Sequence, residues 1–301
     1  MHALVVGATG FIGRAVTKQL LDAGIIVSIG VRNPSKAKKI FDYELLESIR
    51  QIDVLNNCIP VHDIDTLFNL AAVVPDDGID TKKSLMVNAL GTYNLLRACQ
   101  EGNVDRFIHS SSMSVFGHTE SLPVSEAHSL EPETEYGVSK GAAEWFCQLD
   151  IWDDLQRVVL RYSSVYGPGM NPNQVVALFI RQLSCDESIT VYRNNSSDFL
   201  HVTDAARANK LAASATLPDT FIDFNIGSGT ERTIEEVAMI LQAQTESNAD
   251  IEYLYDENPS RFVFDIGRAK QLLGYKPQVS FSEGIQDWYE NTNNPGTGEG
   301  Q

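Results

Sequence analysis

A chain of 301 residues, 43% hydrophobic and 21% charged, is long enough to bury a large core as one domain or two unequal lobes. Its formal net charge of −17 repels polyanions, which argues against nucleic acid or an anionic membrane surface as a partner. Four scattered cysteines without a C-x-x-C pair, no apolar run of about 18 residues and no leader-like segment predict a cytoplasmic protein with reduced thiols.

Ala3, Leu4, Val5 and Val6 form a short apolar run that predicts a fully buried strand. Gly7, Gly10 and Gly13 follow at G-x-x-G-x-x-G spacing, with Thr9, Phe11 and Ile12 between them, and helical periodicity runs from residue 11 to 23. This spacing allows a sharp turn at Gly7, access of a pyrophosphate to the backbone at Gly10, and close helix–strand packing at Gly13. The free amides at the helix start then hold the phosphates. Residues 25–31 read as a second strand ending at Arg32-Asn33-Pro34, residues 36–50 as helical, and Asp53-Val54-Leu55 as a short third strand. A fourth strand is predicted over 67–72, a helix over 82–102, and a fifth strand over 106–109 that runs into Ser110, Ser111 and Ser112. A long helix over 135–149 and a sixth strand over 157–162 complete the alternation. Strands alternating with helices imply an α/β, Rossmann-type doubly wound parallel sheet with ligands at the strand C-termini. Beyond Gly167 the rhythm becomes irregular, which predicts a smaller C-terminal substrate lobe. The expected division is 1–166 for the dinucleotide-binding domain, 167–290 mainly for the lobe with some segments returning to the sheet, and 291–301 as a disordered tail rich in Gly, Asn and Thr.

At the end of the second strand an acidic residue would accept hydrogen bonds from ribose hydroxyls. Here that position falls at Val31, followed by Arg32, which can stack on adenine and clamp a 2′-phosphate. The favoured cofactor is therefore NADP, with NAD the alternative. Asp53 is a candidate for the adenine amino group or simply a turn aspartate. Tyr136 and Lys140, four apart, share one helical face. An ammonium beside a phenol favours the phenolate and is expected to bring the tyrosine down from its usual pKa of about 10. Ser112, with Ser110 and Ser111 as competitors, ends the fifth strand where it could bond the same substrate oxygen. No metal ligand set is assigned.

The motifs Gly7-Ala8-Thr9-Gly10-Phe11-Ile12-Gly13, Leu70-Ala71-Ala72, Asn88 with Gly91-Thr92, Ser110 through Gly117, Tyr136-Gly137-Val138-Ser139-Lys140, Val165 through Gly169, Asp198 through Val202, and Asn225 through Gly229 occur in order along nearly the whole chain. With these motifs the chain resembles an extended short-chain dehydrogenase/reductase of the NAD-dependent epimerase/dehydratase family, the group containing the UDP-sugar 4-epimerases. The resemblance implies Ser112 as catalytic serine, Tyr136 as general acid/base, Lys140 on the nicotinamide ribose, Leu70, Ala71 and Ala72 along the cofactor, and Asn88 supporting the site. It implies hydride transfer at a sugar carbinol carbon, by a nucleotide-sugar epimerase or a keto-sugar reductase. Three positions depart from the family pattern. Met113-Ser114 stand where the 4,6-dehydratases carry Asp-Glu, Ser197 stands where an arginine grips the nucleotide phosphate, and Ser164 stands where many 4-epimerases have asparagine. Arg193 and Arg261 are the remaining phosphate candidates, and Ser164 stays a substrate candidate. Reduction of a non-sugar carbonyl and non-catalytic NADP sensing are the rival functions. The family also implies a homodimer through helices 82–102 and 135–149.

Overall fold

Parallel strands buried on both faces read as continuous apolar runs, and β1 (His2–Val6) is such a run at the middle of the main sheet. The computed structural model describes residues 1–56, 58–74, 80–119 and 121–293. From β1 the chain passes through α1 (Phe11–Asp22), β2 (Ile26–Val31), α2 (Pro34–Ile40), β3 (Ser48–Gln51) and β4 (Thr66–Asn69). A bent helical segment follows: α3 (Thr81–Ser84), a π-helical stretch over Leu85–Leu90, and α4 (Gly91–Glu101). Next come β5 (Arg106–Ser112), α5 (Glu135–Gln148) and β6 (Gln156–Tyr162).

The second part contributes β7 (Ser164–Tyr166), α6 (Val175–Ser184), β8 (Ile189–Tyr192), β9 (Ser196–His201), α7 (Val202–Ser214), β10 (Phe221–Ile226), β11 (Glu231–Thr233), α8 (Ile234–Thr245), β12 (Ile251–Leu254), α9 (Gly267–Leu273) and α10 (Phe281–Asn293). The main sheet has seven strands in the order β10-β6-β5-β4-β1-β2-β3, all parallel. One apolar core, including Val16, Leu20 and Phe68, covers one face; another, including Leu95, Phe107 and Trp152, covers the other. The lobe holds a third core around Phe179, Phe199 and Leu241, beside the small sheets β11-β9-β7 and β12-β8.

The structure corrects four sequence expectations. The third strand is Ser48–Gln51, within the stretch read as helical, while Asp53 starts a turn in which its Oδ1 accepts from the Leu55 amide at 3.0 Å. Ser48–Gln51 is a half-buried edge strand with no apolar run, so periodicity alone misses it. The fourth strand stops at Asn69, and the fifth extends through Ser112. At the C-terminus α10 carries the chain helically to Asn293; the rest of the expected tail lies outside the described residues.

Candidate active site

The turn after β1 shows why glycine is required there. Gly7 has φ +87°, and a Cβ on it would lie 2.6 Å from the Leu70 and Ala71 backbone, so the β4 loop could not close against the turn. A Cβ on Gly13 would run into the Gly7 carbonyl, which holds α1 tightly on β1. Gly10 is the N-cap of α1 with no side-chain cap, so the first-turn amides keep their hydrogen-bonding capacity toward the cavity that Gly10, Phe11, Ile12 and Gly13 line. A dinucleotide pyrophosphate fits this cradle in charge and in space.

The cavity encloses about 640 Å³ and reaches from the α1 N-terminus past the ends of β4, β5 and β6 into the lobe. Leu70, Ala72, Ser112, Tyr136, Lys140, Ser164 and Ser197 all line it. Ser112 ends β5, and its Oγ accepts from the Ser114 amide at 3.2 Å. Thr134 caps α5 by accepting the Gly137 amide at 3.0 Å, and a Cβ on Gly137 would strike the Ser114 carbonyl. That close approach brings Tyr136 beside Ser112.

The ionisations differ from the sequence expectation. Burial pushes the Tyr136 phenol up to about 12, and the Ser112 hydroxyl offsets only part of this. The phenol is therefore protonated at neutral pH in the cofactor-free protein, rather than drawn toward phenolate. Lys140 is 2% exposed, and its ammonium donates to the Ser110 carbonyl. Burial lowers it to about 8, while Glu144 pulls in the opposite direction. Between pH 8 and about 10.5 the folded lysine has lost a proton that the unfolded chain still binds, so unfolding takes up a proton and stability rises with pH. In urea titrations of cofactor-free protein, wild type should gain up to about 3 kcal/mol on Lys140→Met across that window. A gap independent of pH would contradict the lowered ionisation.

Asn88 is fully buried and touches the site from behind. Its Oδ1 accepts from the Val73 amide at 2.7 Å, and its Nδ2 donates to the Val73 carbonyl at 2.9 Å and to Ser139 Oγ at 2.9 Å. It clamps the loop after β4 to α5 and does not line the cavity. Thr9, Ala71, Arg32 and Asp53 also lie outside the lining. Arg32 is exposed at the end of β2, and among the described residues its guanidinium has no hydrogen-bond or ion-pair partner.

The two phosphate candidates are engaged elsewhere. Arg193 donates to Glu235 at 2.7 and 3.1 Å and lies 4.2 Å over the Tyr253 ring. Arg261 forms a two-pronged pair with Glu231 at 2.8 and 2.9 Å. Ser164 Oγ and Ser197 Oγ, 2.7 Å apart, bond each other at the cavity wall. Sequence reasoning missed Glu144, fully buried behind Ser111; its only signal was a carboxylate one helical turn after Lys140.

Residues 3–227 match the model of the NAD dependent epimerase/dehydratase family. The UDP-glucuronic acid 4-epimerase from Bacillus cereus, solved with UDP-glucuronic acid and NAD, is 29% identical with TM-score 0.86, covering 98% of this chain and 100% of that one. The UDP-glucose 4-epimerase from Thermotoga maritima, solved with UDP-glucose, is 26% identical with TM-score 0.82, covering 98% and 99%. Among curated relatives, the dTDP-4-dehydro-6-deoxyglucose reductase from Escherichia coli is 26% identical over 94% of each chain. With its glycine cradle, seven-stranded sheet and full-length likeness to these enzymes, the chain belongs to the NAD dependent epimerase/dehydratase family and is an enzyme of the extended short-chain dehydrogenase/reductase type.

Proposed function

We propose that this enzyme is an NADP-dependent reductase of a nucleotide-linked keto-sugar, working through Ser112, Tyr136 and Lys140. The observation that carries the reading is that these three side chains and the α1 glycine cradle line one cavity. When bound, the dinucleotide supplies the hydride. Ser112 donates a hydrogen bond to the substrate carbonyl oxygen, and Tyr136, protonated at neutral pH, gives its proton to that oxygen as alkoxide character develops. Lys140 holds the nicotinamide ribose and places positive charge beside the phenol.

Arg32 supports NADP over NAD, because an exposed guanidinium without a partner among the described residues suits a 2′-phosphate. Arg32→Ala should weaken NADP binding about 10–100-fold, the worth of charge-assisted hydrogen bonds, with NAD binding little changed. Calorimetric titration of both nucleotides, with identification of any that co-purifies, checks this. Tightly retained NAD would instead favour a redox-neutral 4-epimerase, the second reading, which the names of the Bacillus and Thermotoga relatives favour.

The same reading pairs two copies through the 81–101 segment and α5. Its support is the exposed apolar set Leu85, Met86, Leu90, Val138 and Trp145 on those elements. No helix among the described residues is long and apolar enough to cross a membrane, and a cytoplasmic location belongs to the same reading.

A further inference from the structure

Behind the cavity a chain of charges crosses the main sheet. Glu144 on α5, fully buried, accepts from Ser111 Oγ and takes Arg161 Nε at 3.0 Å and Nη2 at 2.7 Å. Arg161, opposite Ser111 in the β5–β6 register and 2% exposed, also pairs with Asp223 of β10 at 2.8 Å. Asp223 pairs in turn with Arg268 of α9, which lies 3.8 Å from Glu126. The group contains three carboxylates and two guanidiniums, so one negative charge is left over. The outer members, Arg268 and Asp223, reach solvent, so the surplus is costly at the fully buried Glu144 end, where a sixth, positive group would offset it.

Lys140 is that group by position. It sits one helical turn before Glu144 on α5, on the same face, with its ammonium on the carbonyl of Ser110 and Ser111 next along the strand. Glu144 and Cys147 of α5 act on the Lys140 charge, Lys140 in turn acts on His109 of β5, and Tyr136 stands one helical turn earlier on α5. Tyr136 is a protonated phenol, burial pushes the Cys147 thiol up, and burial together with Lys140 holds His109 well below the usual imidazole range. All three are uncharged at neutral pH, which leaves Glu144 as the anion.

We infer that Glu144 is a positioning residue of the active site: pinned by Ser111 and Arg161, it keeps Lys140 charged through the pH range in which the enzyme binds its dinucleotide. The inference rests on the proposed role of Lys140 at the nicotinamide ribose. It assigns to Glu144 an electrostatic effect on cofactor affinity, felt through Lys140, in addition to packing.

The test follows NADPH affinity of the full-length protein by fluorescence titration from pH 6 to 9.5. Wild-type affinity should weaken several-fold as pH rises through about 8. Glu144→Gln, of nearly the same shape, should move that midpoint down by at least about one pH unit, since a charge of this kind acts through a low-dielectric interior. Glu144→Asp, which restores the charge, should keep the wild-type midpoint. A residue that only packs would weaken binding or stability equally at every pH, so an unmoved midpoint in Glu144→Gln overturns the inference. If that variant does not fold, competitive acetylation of wild-type protein reads Lys140 directly. An amine titrating at about 8 or above supports the inference, and one titrating below about 7 overturns it. Failure of NADPH to bind at any pH would count against the NADP reading instead, and the acetylation result would still decide the role of Glu144.

Discussion

Tyr136→Phe should lower kcat by about 10²–10⁴-fold while cofactor affinity stays within a few-fold of wild type, the range expected when a positioned proton donor is removed. The change deletes one hydroxyl and keeps the ring, so the packing of Gly137 against the Ser114 carbonyl and the Thr134 cap of α5 are undisturbed. Burial holds the phenol protonated well above neutral pH, so it is available as the donor for carbonyl reduction, and because the overall equilibrium is unchanged the loss in kcat/KM should be equal in the two directions. Steady-state turnover measured alongside nucleotide titration separates the possibilities. Turnover that survives would remove Tyr136 from the chemistry. A sensing protein would show no turnover in either form, with its response to NADP intact.

Arg161→Met should cost about 3–5 kcal/mol in urea unfolding, a larger loss than for any exposed ion pair of this chain. Arg161 is 2% exposed and lies between two carboxylates, Glu144 and Asp223, while its guanidinium stacks 5.1 Å from the Phe116 ring. Removing it deprives the fully buried Glu144 of its ion-pair partner, leaves Asp223 with Arg268 alone, and deletes a cation–π contact as well. Arg193→Met is the matched control. Its pair with Glu235 is open to solvent on both sides, where water screens the attraction, so that change should cost far less than Arg161→Met. Equal losses in the two variants would mean that the buried carboxylates pick up protons and carry no charge to strand.

The parts of the site that were legible in the sequence are those where local geometry dictates residue type. The glycines after β1 are demanded by a positive φ and by backbone contacts, and the four-residue spacing of Tyr136 and Lys140 by one helical face. Strands buried on both sides announce themselves as apolar runs, which made β1, β2 and β6 readable. β3 was not, because an edge strand written Ser-Ile-Arg-Gln carries no such run. Nor does anything local distinguish Phe221–Ile226 from a strand of the lobe; only long-range pairing with β6 brings it into the main sheet. The π-helical stretch at Leu85–Leu90 is equally silent in sequence, since it depends on how the segment packs rather than on its composition. Arg193 and Arg261 illustrate the limit for charged side chains. Their identity suggested phosphate, but which anion each one meets depends on Glu235 and Glu231, 42 and 30 residues away along the chain.

The position of β10 at the rim of the main sheet has a consequence for biosynthesis. During translation, β6 emerges with one long side of its backbone unpaired, and its partner strand follows only after some sixty further residues have been made. Until then, a hydrophobic strand carrying Arg161 without Asp223 is open to pairing with any neighbouring nascent chain. The main sheet is therefore completed late, by a strand made only after α6, β8, β9 and α7, and its rim cannot close before that stretch of chain exists.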